Sequence, residues 1–222
     1  MKKIITLTAI ALVIFSCKKE NSPGWSNIKV SLTNYITGEP ITDAHFVVSE
    51  SNKNVLSGAT ILNESDVLDG THEFGFKPRK SPTWSSSCII STPLGKYYWR
   101  GETEGASQVS FEVERGEDYN LNYELVEYGN WVFELSNTNC ENDNDRITLQ
   151  IESEHSSLLT SSSYSFEEDA TGCLTNAQLF ERKVPAGEYT INYTVQRNSG
   201  TSSGVQKFVV EQGGTSTFNL EY

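Results

Sequence analysis

"FEVERG", residues 111–116, and "FVVEQG", residues 208–213, are one phrase written twice, 97 positions apart. The same interval carries Leu121-Asn122-Tyr123-Glu124 onto Phe218-Asn219-Leu220-Glu221. On either side of a glycine-centred turn, apolar and polar residues alternate with the period of two that gives a strand one core-facing side. Each copy therefore reads as two antiparallel strands joined at Gly116 or Gly213, since glycine enters a tight turn without steric cost. Upstream, Val30-Ser31-Leu32-Thr33-Asn34 is echoed by Phe133-Glu134-Leu135-Ser136-Asn137 at an interval of 103, so insertions and deletions separate the copies. The chain is two copies of one all-β unit, residues 26–127 and 128–222.

Further strands fall in order within each copy. In the first, alternation marks Ile28–Leu32, Ala44–Ser49, Thr71–Phe76, Cys88–Ser91, Tyr97–Trp99, Gln108–Val113 and Tyr119–Leu125. In the second it marks Trp131–Leu135, Ile147–Ile151, Ser163–Phe166, Gln178–Lys183, Tyr189–Val195, Val205–Val210 and Thr215–Tyr222. About seven short strands per 100 residues, divided by Gly, Pro, Asn and Ser, predict antiparallel β-sandwiches. No long apolar repeat of 3.6 residues occurs, which excludes extended amphipathic helices. Only Val126-Glu127-Tyr128-Gly129-Asn130 separates the copies, so the two sandwiches are expected to touch and form a semi-rigid rod.

Two resemblances extend this reading. Thr37-Gly38-Glu39-Pro40-Ile41 followed by Ala44-His45-Phe46-Val47-Val48, and Val184-Pro185-Ala186-Gly187-Glu188-Tyr189-Thr190-Ile191, resemble carboxypeptidase-regulatory-like and transthyretin-like modules of Ig type. That resemblance implies accessory, non-catalytic sandwiches. At the amino terminus, Lys2 and Lys3 precede the apolar run Ile4–Phe15, a secretion-signal profile too short to cross a bilayer. Ile14-Phe15-Ser16-Cys17 resembles a bacterial lipobox, with Phe15 where a smaller residue is usual. The resemblance implies a signal peptide over 1–16, cleavage before Cys17, acylation of its thiol and new amino group, and a short tether over 17–25. Two or more acyl chains, at about 0.8 kcal/mol per buried CH₂, make such an anchor stable. Lys18, where Asp would favour inner-membrane retention, implies the outer membrane; its periplasmic and external faces stay open.

Once Lys2 and Lys3 leave with the signal, 15 cationic side chains face 29 acidic ones. That balance argues against nucleic acid as a partner. Besides Cys17 there are Cys88, Cys140 and Cys173. In an oxidising compartment two of these are expected to pair, and Cys140 with Cys173, in polar loops of one copy, is the favoured combination, leaving Cys88 as a buried thiol.

Candidate sites are few. Asn139, Glu141, Asp143 and Asp145 crowd side-chain oxygens into one loop, as calcium requires, but the EF-hand spacing is absent and a solvated turn uses the same residues. Trp84, Tyr98 and Arg100, with Lys77, Arg79 and Lys80 nearby, form an aromatic and cationic stretch able to stack on a sugar or anchor a protein. Alternation sends Tyr97 and Trp99 to the core and Tyr98 and Arg100 to the opposite face. His45, His72 and His155 are scattered, and no metalloprotease, serine-hydrolase or phosphate-loop motif occurs, so no enzyme and no cofactor are expected. The leading functional reading is a non-catalytic envelope lipoprotein whose tandem domains bind or position another envelope protein. A glycan-binding lipoprotein of an outer-membrane uptake system, and an adhesin or surface-structure subunit, are the other two.

Overall fold

The computed structural model describes residues 23–54, 58–67, 69–100, 108–153 and 166–222. The expected signal peptide over 1–16, Cys17, His155 and most of the strand expected at 163–166 lie outside the described residues. Fourteen strands are described and no α-helix. They are β1 (Ser26–Asn34), β2 (Ala44–Asn52), β3 (Thr60–Val67), β4 (Thr71–Phe76), β5 (Trp84–Ser91), β6 (Tyr97–Trp99), β7 (Gln108–Glu112), β8 (Asp118–Ser136), β9 (Arg146–Ser153), β10 (Phe166–Thr171), β11 (Ala177–Pro185), β12 (Gly187–Arg197), β13 (Gly200–Val210) and β14 (Thr215–Glu221).

The two halves share one plan. In the first, β3-β2-β5-β7 form one sheet, while β1 pairs antiparallel with β4 and parallel with the first half of β8 in the other. In the second, β10-β9-β12-β13 correspond to that first sheet, and the later half of β8 pairs antiparallel with β11 and parallel with β14. Register ties the copies together: Val30 stands beside Leu121, and Phe133 beside Phe218. These are the positions linked by the 103- and 97-residue intervals, so the two sequence echoes are two sides of one parallel ladder. The fold is all-β, with each half a sandwich around its own core. Ile28, Leu32, Phe46, Ile90, Trp99 and Leu125 fill the first core; Trp131, Phe133, Ile147, Leu149, Tyr189 and Ile191 fill the second. Burying one large apolar side chain of this kind contributes about 1.5–3 kcal/mol.

Three expectations change. The strands around Gly116 and Gly213 are not hairpins: β7 pairs with β5 and β13 with β12, while β8 and β14 run beside the first strand of the opposite sheet. Both flanking strands alternate because each has one buried face, but the chain changes sheets at the glycine. The segment 126–130 is no connector, because β8 runs unbroken from Asp118 to Ser136 and belongs to both sandwiches. A strand was also missed at Thr60–Val67, where the first five residues are exposed or nearly so and apolar alternation is absent.

The turns fit the sequence. Asn34 Oδ1 accepts from the N–H groups of Ile36 (2.9 Å) and Thr37 (3.2 Å), and Gly38 takes φ of 73° to return the chain to Pro40. In the second half the Tyr189 hydroxyl donates to the Pro185 carbonyl at 2.8 Å, tying the entry of β12 to the end of β11.

Candidate functional site

The halves meet around residues 126–130 of β8. Tyr98, Val126 and Ala186 are buried together there, with Tyr128 half-buried against them and its ring 6.2 Å from that of Tyr98. The backbone of β8 is handed between halves: Tyr128 N–H donates to Lys96 O, Ala186 N–H to Glu127 O, and Gly213 N–H to Tyr128 O. The Gln212 side-chain carbonyl accepts from Asn34 Nδ2 at 2.6 Å and from Glu127 N–H at 3.4 Å. Gly129 carries no side chain for a steric reason, since a Cβ there would stand 2.2 Å from Glu211 O. A cleft of 330 Å³ opens at the seam, lined by Leu94, Lys96, Glu127, Tyr128, Lys183 and Gly213 among others. Lys96 Nζ reaches Asp43 Oδ2 at 2.6 Å and Glu127 Oε1 at 3.4 Å, and the bond to Asp43 above all holds its ammonium well above the ordinary lysine range. Beside it Leu94 is 88% exposed.

The aromatic and cationic set read from sequence is not gathered into one patch. Tyr97 and Trp99 enter the first core, the latter donating to Thr92 Oγ1 at 3.3 Å. Tyr98 does face the other way, but that face is sealed by the second half and the residue is 1% exposed. Arg100 is committed to Glu124 (3.1 Å) and lies over the ring of Tyr35, 3.2 Å from its centre. Trp84 sits at the opposite end of the first sandwich, half-buried beneath the Arg79 guanidinium at 4.0 Å. The expected sugar platform of Trp84, Tyr98 and Arg100 is therefore corrected, because the connection between sandwiches covers one member and ion pairing occupies another.

Sequence reasoning missed the acid beside Trp84. Glu50 is 3% exposed, its carboxylate bonded to Arg79 Nε (2.9 Å), Arg79 N–H (3.0 Å) and Ser86 Oγ (3.2 Å). The signal was present: Glu50 falls in phase with the inward-facing Ala44, Phe46 and Val48. A carboxylate in a core phase needs partners, and Arg79 and Ser86 supply them.

The acidic loop is spent on its own turns. Asp145, 1% exposed, accepts from Glu141 N–H (2.9 Å) and Asn137 Nδ2 (3.1 Å), with Arg197 Nε at 3.5 Å. The bond from Glu141 N–H chiefly holds its carboxyl below the usual range. Glu141 Oε2 accepts from Ser199 N–H at 3.0 Å, while Asn139 and Asp143 lie in the same turn. Among the described residues no three His, Cys, Asp or Glu side chains converge as a metal site. Cys140 and Cys173 form a disulfide that ties this loop to the approach to β11. Cys88 is buried, and burial pushes its thiol up to about 12.

His45 and His72 are engaged by their neighbours. His45 bridges Asp66 (3.0 Å) and Glu64 (3.1 Å), and the bond to Asp66 leads in raising its pKa. His72 packs on Phe46 with ring centres 4.4 Å apart, within reach of Ser65 and Asn63, and burial lowers its pKa.

No protein-family model and no curated protein sequence matches the chain. Among solved structures it is similar to the Bacillus anthracis TIE protein, at 16% identity over 89% of this chain and 34% of that one, with a TM-score of 0.32. It is also similar to the shaft pilin SpaA from Lactobacillus rhamnosus GG, at 7% identity over 90% and 98% of the two chains and a TM-score of 0.31. A candidate cell adhesion protein from Bacteroides ovatus gives 7%, 90%, 92% and 0.29. The chain thus spans about a third of the first of these, at 34% of its length. At such identities and TM-scores the architecture rests on the strand ladders themselves.

Proposed function

We propose that this chain is a non-catalytic envelope lipoprotein, tethered through Cys17, whose two sandwiches hold another envelope protein at a set distance from the membrane. The observation that supports this is β8. As the last strand of one sandwich and the first of the next, it leaves no hinge residue between them, and the buried Tyr98, Val126 and Ala186 close the seam. Such a pair is a spacer of fixed geometry. Its outer-membrane address and acyl anchor rest on the lipobox resemblance and Lys18, and the face of the membrane is left to experiment.

Photocrosslinking in intact cells tests the positioning role. A benzophenone amino acid at the exposed Leu94 is expected to capture one protein species, and a Gly-Ser-Gly-Ser insert after Tyr128 is expected to abolish that capture while each sandwich stays folded. Capture that survives the insert sinks the fixed-geometry reading. The anchor is tested separately by incorporation of an alkynyl fatty acid, which Cys17→Ser must eliminate.

A further inference from the structure

Sheet edges expose unpaired backbone groups, and proteins usually blunt them with charge, proline, bulges or brevity. Most outer-sheet edges here are blunted in that way. β10 carries Glu167, Glu168 and Asp169 in succession. β3 has a register shift against β2 and carries Glu64 and Asp66. β11 is shifted between Gln178 and Phe180, bears Glu181, Arg182 and Lys183, and ends on Pro185. β7 is five residues long.

β13 carries one of these devices, a lone lysine. It is eleven residues long, pairs among the described residues only with β12, keeps one register throughout, and contains no proline and a single charge, Lys207, which is paired with Glu188 at 2.5 Å. The loop joining it to β12 is the dipeptide Asn198-Ser199, so the flanking pair Arg197 and Gly200 is a hydrogen-bonded one, and pairs alternate from there. The even-numbered residues of β13 spend their backbone groups on β12. Thr201, Ser203, Val205, Lys207 and Val209 direct theirs to the open edge, and all five side chains are exposed, Val205 by 64% and Val209 by 58%.

We propose that the β13 edge pairs antiparallel with β13 of a second copy of this chain, on a two-fold axis at Val205, joining two four-stranded sheets into one. The outward side chains select the register. An axis at Lys207 would set two ammonium groups, each paired with Glu188 of its own chain at 2.5 Å, face to face, which disfavours it. An axis at Val205 sets Val205 against itself, Lys207 against Ser203 and Val209 against Thr201, so every outward residue finds a partner and no like charges meet. The strand is self-complementary in that register, as an isologous interface requires. The formal charge of −12 on each chain opposes association, so added salt is expected to strengthen it. The pairing needs only the second sandwich and stands whether or not Cys17 is acylated.

A cysteine scan of the full-length chain, purified in detergent and oxidised with diamide, tests this. At a two-fold hydrogen-bonded pair the Cα atoms lie about 5.5 Å apart, within disulfide reach. Val205→Cys is expected to give at least ten times the covalent dimer of Lys207→Cys, while the double variant Ser203→Cys/Lys207→Cys restores the dimer. Every variant carries Cys17→Ser, and the chain with that change alone supplies the background, with Cys88 buried and Cys140 paired to Cys173. Equal yields from Val205→Cys and Lys207→Cys would overturn the proposal. Independently, Val205→Lys places two ammonium groups on the axis and is expected to shift sedimentation to monomer while the circular dichroism spectrum of the folded chain is kept; an unchanged dimer fraction would overturn it too.

Discussion

The two sandwiches seat their incoming chain with the same turn, by different chemistry. In the first, Ser26 Oγ donates to Glu114 O at 2.7 Å and accepts from Gly116 N–H at 2.9 Å. In the second, the corresponding residues are Gly129, Glu211 and Gly213: Gly129 lies directly under Glu211 O, and Gly213 N–H bonds to the Tyr128 carbonyl. Arg115 of the first turn reaches Pro78 O, whereas Gln212 of the second reaches Asn34 and Glu127 across the junction. The first turn clasps the chain entering β1 and the second clasps a neighbouring domain. One repeated element thus seats an entering strand in one place and builds an interface in the other, and the side chain at the entry position decides how closely the two backbones approach.

That contrast can be broken at several scales. Removing Thr215–Tyr222 deletes β14, with the buried Ser216, Leu220 and Tyr222, from beside β8. The second sandwich is expected to unfold completely and the first to persist, seen as loss of one of two protected fragments in limited proteolysis. Reduction of Cys140–Cys173, which closes a separation of 33 residues, should cost the second sandwich about 4 kcal/mol by the chain-entropy relation. Only its unfolding transition, followed in the presence and absence of reductant, should move.

At the junction, Gly129→Ala forces a methyl group against Glu211 O. The expected cost is about 1–3 kcal/mol, and calorimetry should resolve two transitions where the parent shows stronger coupling. Ser26→Ala removes the equivalent contacts in the first sandwich and should cost about 1–2 kcal/mol, leaving the second unaffected. A larger effect from Ser26→Ala than from Gly129→Ala would refute the idea that the second turn is the tighter joint.

The smallest effect is a dependence on pH carried by the first sandwich. His45 has a raised pKa when folded, so its stabilisation is full below about 6.5, the unfolded value, and is lost as pH rises through the folded value. His72 has a lowered pKa, so its contribution is present above about 6.5 and is lost as pH falls through the folded value. The two windows meet at about 6.5, so stability is expected to rise with pH below it and to fall above it. His45→Gln should remove the fall and His72→Gln the rise; pH profiles left unchanged in denaturant titrations would contradict both assignments.

Much of the architecture was legible because buried strand faces write themselves as alternation. Ile28, Val30 and Leu32, or Ile147, Leu149 and Ile151, each announce a strand with one side in the core. β3 escaped because an edge strand with Asn63, Glu64 and Asp66 has little to bury. β8 reads as two strands parted by residues 126–130 because the repeat boundary falls there, whereas Gly129 lets another backbone pass close by within one strand. The candidate site was less legible. Alternation placed Tyr98 on the correct face of its strand, but nothing local to residues 97–100 states that Val126 and Ala186 will cover that face. Glu50 could have been found, since an acid in phase with Phe46 and Val48 demands a buried partner.

The parallel pairing of β1 with β8 also gives the molecule a mechanical character. Asn27–Asn34 lie in register with Asp118–Leu125, and β8 then continues into the far sandwich. Tension applied between the amino-terminal end and the second sandwich pulls these two parallel strands in opposite directions along their length. Their rungs are then strained together in shear, not opened one at a time as in a peeled hairpin, so the first sandwich resists stretching along its long axis better than it resists tearing at an edge.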